Sequence, residues 1–141
     1  MHARISVLVA AAGIAVGLAG CGGSPRAPLS SPARIEHGPH GTRIVLSASG
    51  AQRIGLRTAR THSARGPMVA VPASALIYDP SGKTYAFIAV QDRTYAEVHV
   101  RVARIDGDTA LLKNGPRVGD QVVSTGAEEL YGVQTGVLGQ S

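Results

Sequence analysis

The chain has 141 residues, enough for one domain of ordinary size and too few for two. Aromatic residues make up 4%, charged residues 16%, and tryptophan is absent, so any core must be built from Val, Ile, Leu and Ala, with modest area per side chain and marginal to moderate stability. The net charge of +5 favours anionic partners such as lipid headgroups or cell-wall polymers; the basic residues are scattered without an aromatic platform, which argues against nucleic acid.

The first twenty residues read MHARISVLVAAAGIAVGLAG. A short basic start (His2, Arg4) precedes an apolar run from Ile5 to about Leu18, too short to span a bilayer comfortably and suited to a secretory signal. Leu18-Ala19-Gly20-Cys21 follows, and Cys21 is the single cysteine of the chain. This stretch resembles the lipobox of bacterial lipoproteins, in which the signal is cleaved before the cysteine and the thiol is lipidated. The resemblance implies residues 1–20 as a signal peptide and Cys21 as a lipid anchor holding the protein at the extracytoplasmic or periplasmic face of the cell membrane. A single thiol also excludes an internal disulfide. Two or more acyl chains hold a protein stably on a bilayer where one does not.

Residues 21–41 read CGGSPRAPLSSPARIEHGPHG, dominated by Gly, Ser and Pro with no apolar period, and are expected to form a flexible tether. His37 and His40 fall in it; two imidazoles at this spacing are candidate metal ligands, or else two solvated linker histidines. The folded part is expected over residues 42–133, with a disordered tail over 134–141.

Arg43–Leu46 is a short strand candidate. Ser47 can cap a brief helical turn through Gln52-Arg53-Ile54, Gly55 would stop it, and Leu56–Ala59 resumes an extended run. A basic loop spans His62–Met68. From Val69 onwards, apolar runs alternate with turn chemistry: Asp79-Pro80-Ser81-Gly82, Gln91-Asp92-Arg93, Asp106-Gly107-Asp108, Asn114-Gly115-Pro116 and Gly119-Asp120. Tyr85–Val90 and Glu97–Ile105 read as strands; in the latter, Val98, Val100 and Val102 alternate with His99 and Arg101. Glu128–Tyr131 reads as a closing turn. The pattern predicts an all-β fold, a small antiparallel β-barrel or meander with at most one short helical turn.

VLSASGAQRIGLRTARTHS, with Ile54, Gly55, Leu56, Thr58 and Ala59, resembles the stretch that opens the membrane-proximal domain of periplasmic adaptor subunits (membrane fusion proteins) of efflux transporters. Val71-Pro72-Ala73-Ser74-Ala75-Leu76 is similar to that family's return strand. Gly115, Val118, Gly119, Asp120, Val122, Val123, Gly126 and Ala127 are similar to its ending. The likeness covers residues 43–133. The chain departs from a full adaptor between the IGLRTA and VPASAL stretches, where the seven residues His62–Met68 stand in place of barrel strands, a lipoyl-like domain and a coiled-coil hairpin. No heptad occurs anywhere, so only a docking role is implied.

No GxSxG, HExxH, CxxC or phosphate loop is present, and an enzyme is not expected; nor is a cofactor. Asp106-Gly107-Asp108 lacks the further ligands of a calcium loop and reads as a hairpin turn. Ser81 and Lys83 lie in a turn sequence without the spacing of a nucleophile pair. His99 reads as an exposed strand histidine. The expected partners are a membrane transporter or another adaptor subunit, lipid through Cys21, and a further copy of the chain. Arg57, Arg60, Arg101 and Arg104, on strand candidates, are the proposed contact residues. The alternative is a ligand- or metal-binding lipoprotein of the cell envelope that uses His37 and His40.

Overall fold

The structure is a computed structural model, and it describes residues 31–136. Signal segment, Cys21 and the last five residues lie outside that range. In chain order the strands are β1 (Ala33–Gly38), β2 (Gly41–Leu46), β3 (Arg57–Arg60), β4 (His62–Ser63), β5 (Val69–Pro72), β6 (Ile77–Tyr78), β7 (Thr84–Gln91), β8 (Thr94–His99), β9 (Arg101–Asp106), β10 (Thr109–Asn114) and β11 (Gln121–Thr125). Helix α1 (Ala48–Ile54) follows β2, helix α2 (Ala127–Gln134) follows β11, and a single 3-10 turn covers Ala73–Ala75.

The all-β class expected from the sequence is the class observed. The strands form two open antiparallel sheets. The larger has seven strands in the order β1-β2-β8-β7-β11-β3, with β6 also paired to β7; the smaller has four, in the order β4-β5-β10-β9.

Strands β7 and β11 are the partition between two cores. Period-two alternation sends consecutive residues to opposite faces of a sheet. Phe87 and Val123 therefore join a core with Ile44, Leu46, Ile77, Tyr95, Ala127 and Leu130. Their neighbours Ala86 and Val122 join a second core with Val71, Ala75, Leu76, Val100, Ala110 and Leu112. Phe87, Val122 and Val123 are fully buried.

Helix α1 forms as the sequence predicts. The Ser47 hydroxyl accepts from the Gly50 backbone N–H at 3.0 Å, satisfying one of the first turn's orphan donors. Gly55 closes the helix in the left-handed conformation at φ 67°, and its N–H donates to the Ala51 carbonyl.

Three expectations need correction. Residues 33–41 are not part of a flexible tether. Ala33–Gly38 pairs with Gly41–Leu46 as an antiparallel hairpin, from Ala33 opposite Leu46 to Gly38 opposite Gly41. Its base is pinned where the Ser47 N–H donates to the Pro32 carbonyl at 3.0 Å. Ala33 and Ile35 are half-buried at alternate positions, a pattern too short to register among the surrounding Gly, Ser and Pro.

The Glu97–Ile105 run is two strands in different sheets. It breaks at Val100, whose N–H donates to the Thr84 carbonyl at 3.0 Å and whose side chain enters the second core. Glu128–Tyr131 is the body of α2 rather than a closing turn. Ala-Glu-Glu-Leu favours helix, the two glutamates sit in the first turn where the backbone dipole favours negative charge, and Leu130 is fully buried.

Candidate functional site

The structure separates the four arginines into two pairs on two sheet edges. Arg57 and Arg60 lie on β3, the outermost strand of the seven-stranded sheet. Arg101 and Arg104 lie on β9, the outermost strand of the four-stranded sheet. All four side chains are exposed. Arg104 reaches Asp106 at 3.4 Å; among the described residues Arg57, Arg60 and Arg101 make no ion pair.

β3 is positioned by β11, with Arg60 opposite Gln121 and Ala59 opposite Val122. At Thr61 the chain crosses from the larger sheet to the smaller. Thr61 is almost completely buried, so its polar groups need partners. Its hydroxyl donates to the Arg117 carbonyl at 2.6 Å and its N–H to the Asp120 carbonyl at 2.9 Å, while its own carbonyl accepts from Gly119 N–H at 3.2 Å. Asp120 in turn accepts from the Arg117 N–H at 2.7 Å. This crossover is therefore fixed, and with it the direction of β3.

Beside the crossover lies an open cleft of about 310 Å³, lined by Ala59 and Arg60 of β3, His62 of β4, Ala70 to Pro72 of β5, and Asp108 and Thr109 at the head of β10. Its lining is apolar at Ala59, Ala70, Val71 and Pro72 and includes the exposed Arg60, His62 and Asp108. The sequence reading singled out Arg60 and missed His62 and Asp108 as neighbours of it. Only the pairing of His62 with Ala70 and of Thr109 with Pro72 brings them together.

A second cleft, of about 250 Å³, lies at the tip of the β1–β2 hairpin among Glu36, His37, Pro39, His40 and Arg43. His37 is the penultimate residue of β1, with its Nδ1 3.3 Å from the Thr42 hydroxyl; His40 sits in the two-residue loop. Glu36 is occupied by Arg34 at 2.8 Å. Among the described residues no group of three or more His, Cys, Asp or Glu is placed to hold a metal ion.

The remaining polar positions are structural. Asp79 accepts from the Ser81 hydroxyl at 2.7 Å, from the Lys83 N–H at 2.8 Å and from the Tyr85 hydroxyl at 3.2 Å. These bonds, the one from Ser81 foremost, hold its carboxyl below the ordinary range. The carboxylate is thereby committed to the β6–β7 turn. Burial, with the Asp79 carboxylate beside it, raises the Tyr85 phenol. His99, at the end of β8, is exposed and packs against Tyr85 with ring centroids 4.3 Å apart and the ring planes tilted by 51°. Asp106 and Asp108 flank the β9–β10 turn.

Among the described residues no helix is long and apolar enough to cross a membrane. Cys21 lies outside them. No protein-family model, no curated protein and no solved structure matches the chain.

Proposed function

We propose that the chain is a membrane-anchored extracytoplasmic lipoprotein whose β-domain works as an adaptor-like docking module of a transmembrane transport system. The observation that carries the reading is the edge of β3. A rigidly placed outer strand presents two exposed arginines, neither paired with a carboxylate among the described residues, beside a partly apolar cleft. An outer strand offers backbone donors and acceptors to an incoming strand, and unpaired guanidinium groups favour an acidic contact surface. The lipobox-like Leu18-Ala19-Gly20-Cys21 supports attachment to the membrane, and the adaptor-like residues Ile54 to Ala59 run from the last residue of α1 into β3, the docking strand itself. The partner is then a membrane transporter or a complete adaptor subunit.

The test is co-purification of membrane proteins with the anchored chain, comparing wild type with Arg57→Glu/Arg60→Glu. Loss of a transport protein from the variant, with the fold intact by circular dichroism, is the expected result; unchanged association would count against the reading.

A second reading rests on the hairpin tip, where β1 and β2 hold His37 and His40 beside one cleft. In that case the chain is a metal- or ligand-binding lipoprotein. Titration with Cu²⁺, Ni²⁺ or Zn²⁺, with and without His37→Ala and His40→Ala, separates the two: tight, histidine-dependent binding favours the second.

A further inference from the structure

The β9 edge differs from the β3 edge in one respect that bears on its partner: its residues complement themselves. β9 reads Arg101-Val102-Ala103-Arg104-Ile105-Asp106 and is paired on one side only, by β10. Ile105 pairs with Ala110, Arg104 with Leu111 and Val102 with Leu112, so Ala103 is the additional residue of a β-bulge. The bulge has a geometric consequence. Val102 and Ile105 are three residues apart and would face opposite ways in a regular strand. Here both lie on the face of buried Ala110 and Leu112. Arg101 and Asp106 flank them and lie on the opposite, solvent face.

We propose that β9 pairs antiparallel with β9 of a second copy of this chain, making one continuous sheet across a two-fold axis perpendicular to it. In the register centred between Ala103 and Arg104, Arg101 stands opposite Asp106 of the second copy and Val102 opposite Ile105 of the second copy. Cross-strand neighbours must share a face, and the bulge puts the members of each pair on the same one. The two-fold axis repeats each contact, giving two ion pairs and two apolar pairs. Two otherwise unexplained features are then accounted for. Ile105 is 50% exposed in the single chain although it lies on the core side of its sheet. Arg101 has no carboxylate partner among the described residues. The pairing also covers a row of backbone donors and acceptors that an edge strand otherwise leaves open. It depends neither on the lipid anchor nor on the transporter, and it leaves the β3 edge free for docking.

The test is sedimentation velocity of the full chain in excess non-ionic detergent over a concentration series. Wild type sediments as a dimer. Arg101→Asp places two like-charge pairs across the axis, and Asp106→Arg does the same; each raises the dimer dissociation constant about tenfold or more. The exchange Arg101→Asp/Asp106→Arg restores opposite charges and restores the dimer, which also shows that the single variants did not act by unfolding. Ile105→Lys, at a half-exposed position, dissociates the dimer independently. A wild-type monomer across the series, a dimer indifferent to both single reversals, or an exchange variant no better than the singles would overturn the proposal.

Discussion

The two cores on either side of β7 and β11 are built from different materials. The first contains Phe87 and Tyr95 with Ile44, Leu46, Ile77 and Leu130, and α2 lies over it. The second is walled by Ala75, Ala86 and Ala110, with Val71, Leu76, Val100, Leu112 and Val122 as its larger members; it holds no aromatic side chain, and neither α1 nor α2 contributes to it. Large side chains bury more area per residue, so the first core carries most of the hydrophobic stabilisation. Small ones let two sheets approach closely at less gain. The contrast separates a well-filled scaffold from a lightly packed smaller sheet; the contact surfaces proposed above draw on both sheets, β3 being the outer strand of the larger one and β9 that of the smaller. Because Val122 and Val123 are consecutive residues of one strand, neither core can loosen without disturbing the wall of the other.

The comparison can be broken most severely at Phe87. It is fully buried, and Phe87→Ala should cost about 3–5 kcal/mol, read as a lowered urea midpoint at unchanged slope. Leu112→Ala, its counterpart in the second core, should cost about 2–3 kcal/mol, at the lower end for a buried leucine because it lies one strand from an open edge that can relax. Both variants should unfold in a single transition; two separated transitions after Leu112→Ala would show that the smaller sheet melts alone. Gly126→Ala tests the seam where β11 turns into α2. Gly126 has φ 84°, and a Cβ there would lie 2.5 Å from Leu56 Cδ2 and 2.8 Å from Ile54 Cγ2. A cost of about 2 kcal/mol is expected from left-handed strain and overpacking together.

The smallest effect is at Asp79, whose carboxyl is held below its ordinary value of 3.8, first by the Ser81 hydroxyl. A carboxylate with a depressed value in the folded state contributes stability that is present above the unfolded value and lost as pH falls through the folded one. The contribution should therefore disappear only in acid, below about pH 4. Asp79→Asn should lower stability slightly at neutral pH and flatten the acid segment of the stability curve, so that variant and wild type converge in acid. An unaltered acid limb would show that the turn does not depend on the carboxylate.

How far these features could be read from the sequence depended on whether their signal was local. Ser47 and Gly55 announce both ends of α1, since capping is a matter of one side chain and one backbone angle. The turns at Asp79 and Asp106 were equally plain. The β1 strand was hidden because Ala33 and Ile35 are, among the described residues up to Gly41, the only half-buried ones beside the Gly-, Ser- and Pro-rich stretch, and its existence depends on β2. The division at Val100 was hidden for the opposite reason: Val98, Val100 and Val102 keep one alternation straight through it, while the chain passes from one sheet to the other. Alternation reports a face and carries no information about which sheet that face belongs to. The arginines were legible as exposed strand residues; their separation onto two edges, and the approach of His62 and Asp108 to Arg60, are long-range facts. The bulge at Ala103 belongs with these, because only the register with β10 reveals it.

The central claim, that the β3 edge docks on a membrane transport protein, is tested most directly by in-cell photo-crosslinking from position 60, in place of Arg60, on the full chain at its membrane, with adducts identified by mass spectrometry. The account predicts an adduct with an integral membrane transporter or a complete adaptor subunit, and none with that protein from a probe at exposed Glu36 on the far β1 edge. Adducts with the chain itself alone, or none while the protein is folded and membrane-bound, would contradict it.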